Sequence, residues 1–384
     1  MADETILITG ANGIVGCELA RALVRRSEPP ALRLLVRGDA ATVEAKAQWL
    51  LDWIDAPEPA RERIQVLRGD VAREDLGLPP GERARLESEV TGILHAAACT
   101  SFSQTAAQGE TGNVLGTRNA LELAKRCRKL DRFGLVSTAY VAGTRRGEID
   151  EDDLEVEAGF CNEYERSKAR AELEGRKAAA AGLPVATYRL GVVVGRLSDG
   201  HISRMSGVYP VWRIFHRGLM AMIPGDEAQA VDLIPSDYAA AAIAHLFGPA
   251  FRAGANYHVC AGADRSLTLG ELLPAVADCI EDAAPGWKAK GYPEPASVDG
   301  ATFASFADTV ELVAHVSLRA TVRQMRLFTE QLDYPKRFSI ERFERDLAGS
   351  GLELPHAREW LGTMIAHGVH SDWRAQGWEA AAYG

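Results

Sequence analysis

Apolar positions in the first half of the chain come in short continuous runs, separated by stretches with helical spacing. Residues 5–9 (TILIT), 32–36 (LRLLV), 64–67 (IQVL), 92–95 (GILH), 133–137 (FGLVS) and 185–190 (VATYRL) read as strands. Residues 14–26, a segment ending near residue 54, and segments at about 110–129 and 163–181 read as helices. Strands alternating with helices predict a parallel sheet covered on both faces. Continuous apolar strands fit that burial, since neither side of such a strand meets water. The expected fold class is therefore α/β, a doubly wound parallel sheet of the Rossmann type.

After residue 195 the rhythm breaks. Residues 196–230 hold a Gly/Ser/His/Arg-rich loop, an apolar stretch from Tyr209 to Met222, and the turn Pro224-Gly225. Strand–helix order returns at 231–248 and again at 256–259. From residue 262 the chain reads as mainly helical, closing on a segment with Trp360, Trp373 and Trp378. This pattern predicts a nucleotide-binding domain over 1–195, to which 231–260 returns. A smaller, mainly helical lobe over 196–230 and 261–384 is expected to cover its C-terminal edge, where doubly wound sheets bind ligands.

Composition narrows the field. A net charge of −10 disfavours a nucleic-acid partner. The six cysteines, at 17, 99, 127, 161, 260 and 279, include no Cys-x-x-Cys pair, and no His-Glu-x-x-His occurs, so neither a metal site nor a disulfide framework is expected. The alanine-rich stretch 239–248 is too short to span a membrane and is interrupted by His245. With no signal peptide before the first strand, the expected location is the cytoplasm.

The segment Thr9–Gly16, TGANGIVG, lies between a strand and a helix. Gly10 permits a tight turn, Gly13 lets a pyrophosphate approach the backbone, and Gly16 allows close helix–strand packing. Asn12 and Ile14 complete the loop, whose free amides and helix dipole suit a dinucleotide. Arg37 ends the second strand where an acidic residue would bind the ribose hydroxyls of NAD(H). An arginine there can pair with a 2′-phosphate, which favours NADP(H). Asp70 and Val71 follow the third strand, and Ala96 and Ala97 the fourth, where small side chains let a flat cofactor lie against the backbone. Asn113, in NVLGT, reads as structural.

The acid–base chemistry lies in YERSK. Tyr164 and Lys168, at i and i+4, share a helix face. A phenol is a poor acid–base at neutral pH, and a nearby ammonium is expected to lower its pKa. Thr138, at the end of the fifth strand, can offer its hydroxyl to a substrate oxygen. His201, His216 and His258 read as polar structural residues, and Tyr140 as packing beside the site. Cys99 and Cys161 flank the site without any group to activate them. Trp212, Phe215, Met220 and Met222 fit either an acyl pocket or the core.

Together TGANGIVG, HAAA, NVLGT, VSTAYVAG, YERSK and RLGVVVG resemble the extended short-chain dehydrogenases/reductases over roughly residues 5–260. LLVRG, HAAACTSF, VSTAYVAG and VDLIPSDYAAAAI look most like the fatty acyl-CoA reductase and thioester reductase branch. That resemblance implies NADPH-driven reduction of an acyl thioester on coenzyme A or an acyl carrier protein, giving aldehyde and, after a second transfer, alcohol. It also implies catalytic roles for Thr138, Tyr164 and Lys168, with Lys168 holding the nicotinamide ribose. Oligomers occur in the superfamily, but no exposed stripe here marks one. Where many members have Arg-Pro-Gly, this chain has Arg189-Leu190-Gly191, so a looser backbone is expected. The same residues would serve a ketone or alcohol dehydrogenase, or an epimerase, acting on a free small carbonyl. A non-catalytic nucleotide-binding protein would have no need of Tyr164.

Overall fold

The computed structural model describes residues 4–157, 159–314, 316–374 and 377–378. Seven strands, β1 (Thr5–Thr9), β2 (Ala31–Val36), β3 (Ile64–Arg68), β4 (Gly92–His95), β5 (Arg132–Thr138), β6 (Val185–Leu190) and β7 (Asn256–Val259), form one parallel sheet. Their order across the sheet is β7-β6-β5-β4-β1-β2-β3. The apolar runs are explained by two buried faces. Ile6 and Ile8 enter one core cluster, while Leu7 between them enters another on the opposite face. Leu34 and Leu35 divide in the same way.

Helices α1 (Ile14–Val24) and α2 (Ala40–Ile54) cover one face, and α3 (Pro80–Glu89), α4 (Gly116–Arg126) and α5 (Glu163–Ala180) the other. The sequence pattern did not reveal α3, because it buries a single residue, Leu86. The segment predicted as one helix over 110–129 begins earlier. A turn at Ala106–Gly109, capped by Thr105, runs into a π-helical turn at Glu110–Leu115 before α4. Sheet order reverses between β1 and β4, and the crevice at their C-terminal ends is where such sheets take ligands.

Beyond β6 the chain builds α6 (Tyr209–His216), α7 (Ser236–Phe247), α8 (Leu269–Ala283), α9 (Gly300–Val313), α10 (Val316–Thr329), α11 (Glu341–Leu347) and α12 (Ala357–His370). α7 packs against α1, and β7 completes the sheet. Residues 233–235 do not join that sheet; they pair with 192–194 in a ladder of their own. A second core gathers Trp212, Phe215, Met220, Val276, Ile280, Trp360, Met364 and Trp373 from α6, α8, α12 and adjoining loops. Residues 336–338 return to pair with 147–149 beside the sheet. No helix among the described residues is long and apolar enough to cross a membrane.

Side-chain contacts flank Leu190-Gly191, where a looser backbone was expected. Arg189 is fully buried, and its guanidinium donates to both oxygens of Glu172 on α5 at 2.8–3.1 Å. The Asp232 carboxylate, against which Gly191 packs, accepts the amides of Ala261 and Gly262 at 3.0 Å each.

Candidate active site

One cleft of about 1510 Å³ runs along the C-terminal ends of the strands. It is lined by every candidate residue drawn from the sequence: Gly10, Asn12, Gly13, Ile14, Gly16, Arg37, Asp70, Val71, Ala96, Ala97, Thr138, Tyr164 and Lys168.

Gly10 has φ +67°, and a Cβ there would sit 2.6 Å from the Ala97 backbone. A Cβ on Gly16 would sit 2.2 Å from the Gly10 carbonyl oxygen. The amide of Gly13 is used within the turn, donating to Gly10 O at 2.9 Å. The first-turn amides of α1 follow, and no side chain caps them. An uncapped helix start at a cleft floor suits a diphosphate. His95 of HAAA secures this floor from beneath. Its ring bonds the Thr9 hydroxyl at 2.8 Å and that of Thr117 at 3.2 Å. Burial, aided by the charge of Lys168, pulls the imidazole down to about 3, so it is neutral.

At the far end of the phosphate loop lies Arg37, exposed, with Lys46 of α2 donating to its carbonyl. Lys46 was not singled out from the sequence; its spacing from Arg37 matters only because α2 folds back across the end of β2. The Lys46 ammonium also lies 4.2 Å from the centre of the Trp378 ring, which lines the same end of the cleft. Asp39, the nearest acidic residue, is occupied as the cap of α2, accepting the Thr42 amide at 2.8 Å.

At the centre, β5 delivers Thr138 and the second residue of α5 is Tyr164. The helix start is fixed by Asn162, whose side chain accepts the Glu165 amide at 3.0 Å. The Thr138 hydroxyl donates to Leu190 O at 3.4 Å and accepts from the Tyr140 amide at 3.2 Å. Lys168 is buried, and its ammonium donates to Val136 O at 2.8 Å. Here the structure corrects the expected electrostatics. Burial, and then the charge of Glu165, push the Tyr164 phenol upward, with its contact to the Thr138 hydroxyl working the other way. Lys168 itself is drawn down to about 8, again by burial, with Glu172 opposing.

Residues 8–243 match the Male sterility protein family. The chain belongs to that family. It is thereby of the extended short-chain dehydrogenase/reductase type. The isonitrile lipopeptide synthase of Streptomyces coeruleorubidus is 29% identical over 246 residues, covering 63% of this chain and 16% of that protein. The fatty acyl-CoA reductase wat of Drosophila melanogaster is 26% identical over 274 residues, covering 61% of this chain and 52% of that one. The chain thus spans about half or less of the length of these relatives. Among solved structures, the terminal R domain from the myxalamid PKS-NRPS biosynthetic pathway superposes with a TM-score of 0.79 at 26% identity, covering 97% of this chain and 92% of that one.

Several residues at this family member's site carried no sequence signal of their own. Ser167, inside YERSK, accepts from Asn113 Nδ2 at 2.8 Å and donates to Tyr164 O at 2.9 Å. Asn113 also exchanges hydrogen bonds with both backbone groups of Cys99, at 2.7 and 3.1 Å, from the π-helical turn. The loop at Cys99, the π-helical turn and α5 are thereby tied together. The lobe supplies the opposite wall, with Val208, Val211 and Trp212 of α6 and its approach, Ile223, and Leu269, Leu272 and Leu273 of α8. Of the four large residues left open between pocket and core, Trp212 lines the cleft; Phe215, Met220 and Met222 pack in the lobe core. His258 is buried, bonded to Ser339 O at 2.8 Å, and His201 bonds Arg196 at 2.9 Å. Tyr140 lines the cleft beside Thr138.

Proposed function

We propose that the protein uses NADPH to reduce an acyl thioester carried on coenzyme A or on the phosphopantetheine of an acyl carrier protein. The observation that carries this reading is the continuity of one cleft. It holds an uncapped phosphate-binding helix start and two cations at one end, Thr138 and Tyr164 at the centre, and an apolar wall at the other end. The named relatives, a lipopeptide synthase and a fatty acyl-CoA reductase, support a thioester over a free ketone. NADPH rather than NADH is supported by Arg37 and Lys46, with Asp39 diverted to capping α2. The unpaired cysteines fit a reducing cytoplasm, where we place the protein.

Bound NADPH would supply the hydride. The protein's part is to hold the thioester oxygen between the Thr138 hydroxyl and the Tyr164 phenol, and to give it the phenol's proton as charge develops there. A phenol kept protonated by burial is in the right state for that step. Collapse of the resulting hemithioacetal returns the hydroxyl proton to Tyr164 as the carbon–sulfur bond breaks, leaving aldehyde and a thiolate that takes a proton from solvent. Lys168, fixed by Val136 O, keeps a positive charge on the same helix face while Tyr164 is ionised. The apolar wall at Trp212, Leu269 and Leu272 suits a hydrocarbon acyl chain.

The test is NADPH consumption with a panel of acyl-CoA thioesters, matched against free aldehydes and ketones, with thiol release followed in parallel. Consumption with equal thiol release is expected. Consumption with free ketones alone would overturn the thioester reading and leave a carbonyl reductase. Alcohol among the products would add a second hydride transfer.

A further inference from the structure

A buried polar chain crosses from the lobe to both halves of the central site. Glu165, the residue after Tyr164, is buried, and its carboxylate accepts Asn162 Nδ2 at 2.8 Å, the Cys161 amide at 3.1 Å, and the side-chain amide of Gln331. The Gln331 oxygen in turn accepts the Lys336 ammonium at 2.8 Å. That ammonium, also buried, donates to Gly143 O at 2.7 Å. Gly143 closes the short turn Ala139–Ala142 that Thr138 caps, its amide donating to Tyr140 O at 3.0 Å. Lys336 is held in place by the pairing of 336–338 with 147–149. One end of this chain therefore adjoins Tyr164 and the other adjoins Thr138. Its middle belongs to a segment more than 160 residues away in sequence.

We infer that Glu165, Gln331 and Lys336 are positioning residues, a clamp by which the C-terminal lobe sets the spacing of Thr138 and Tyr164. The inference rests on the reading of those two residues as the catalytic pair. None of the three clamp residues has to touch the reacting atoms. Their effect is on geometry, to which a rate is sensitive because a misplacement of about 1 Å costs about a hundredfold.

The clamp also has a pH signature. Burial lifts Glu165 to about 7, opposed by its hydrogen bonds and Lys336. Burial lowers Lys336 to about 8, opposed by Cys161 and Glu165 and assisted by Arg146. Glu330 and Asp333, on the turn beside Gln331, face Cys161, and Tyr164 faces Glu165 from its own helix. Protonating Glu165 below pH 7 turns charge-assisted bonds into neutral ones, which are roughly half as strong. The clamp then loosens, and turnover falls on the acid side.

The experiment compares E165Q and Q331L with the wild-type chain, measuring kcat, KM and NADPH affinity across pH. The expected result is a loss of about ten- to a hundredfold in kcat, with unchanged NADPH affinity showing that each variant is folded. E165Q is also expected to lose the acid limb near pH 7. Wild-type kcat and an unaltered pH profile in Q331L would overturn the clamp. A second readout needs no turnover: NMR of ring-labelled tyrosine, with Tyr164 assigned by its absence in Y164F. A shifted Tyr164 resonance in Q331L supports the clamp, and an unmoved one overturns it, even if no thioester proves to be a substrate. A wild type inactive on every thioester would instead tell against the proposed function.

Discussion

Tyr164 lines the cleft half-buried, and desolvation together with the charge of Glu165 beside it pushes the phenol up. A raised phenol favours a proton donor over a base. Y164F keeps the ring and removes only the hydroxyl that carries the proton; kcat is expected to fall by about 10²- to 10⁴-fold. Fluorescence titration should find NADPH affinity unchanged, and a variant with near-native turnover would remove Tyr164 from the acid role. Arg37 acts at the other end of the cofactor site through charge and reach alone. An arginine–phosphate hydrogen bond is worth about 1.5–3 kcal/mol, and exposure places Arg37 at the low end. Arg37→Ser is accordingly expected to raise the KM for NADPH about tenfold and leave that for NADH unaltered. Equal losses for both cofactors would show that Arg37 does not read the 2′-phosphate.

At the scale of elements, the site depends on how α5 meets the sheet. Ser167 and Asn113 fasten its outer side to the π-helical turn, and the Arg189–Glu172 pair fastens its inner side to β6. Both members of that pair are fully buried, which makes the interaction costly to break from one side. Glu172→Ala would leave a guanidinium uncompensated in the core, a loss of about 3–5 kcal/mol in urea unfolding. A loss of under ~1 kcal/mol would mean that water reaches Arg189. The π-helical turn has a local purpose as well: it turns Asn113 inward to satisfy the backbone of Cys99, next to the cleft. Such turns often occur at functional sites.

The whole molecule is a nucleotide-binding sheet closed on one side by a lobe that returns twice. Residues 329–338 reach α5, and the last described residues place Trp378 against Lys46. This packing buries several thiols. Burial raises Cys127 to about 12 and pushes Cys17 and Cys260 upward in the same way. A folded pKa above the unfolded value means that the native state keeps a proton the unfolded chain gives up. Stability from these groups is therefore full below the ordinary thiol value of 9.0 and is lost as pH rises towards 12. Urea midpoints measured across that range should fall less steeply for Cys127→Ala than for wild type. Parallel slopes would place the thiol in water.

The strands of the sheet and the phosphate loop were legible in the chain itself because their causes are local. A strand buried on both faces must be apolar at nearly every position, and a position whose Cβ would sit 2.6 Å from the Ala97 backbone, as at Gly10, must be glycine. The spacing of Tyr164 and Lys168 likewise follows from helical periodicity. Helix α3 escaped notice because one buried leucine makes no period. The joining of Glu165 to Gln331 and Lys336, the choice of Trp212 over Phe215 for the cleft, and the upward push on the Tyr164 phenol were decided only by tertiary structure. Each depends on which distant segments exclude water from a given atom, and desolvation is a property of the packed molecule that no local pattern encodes.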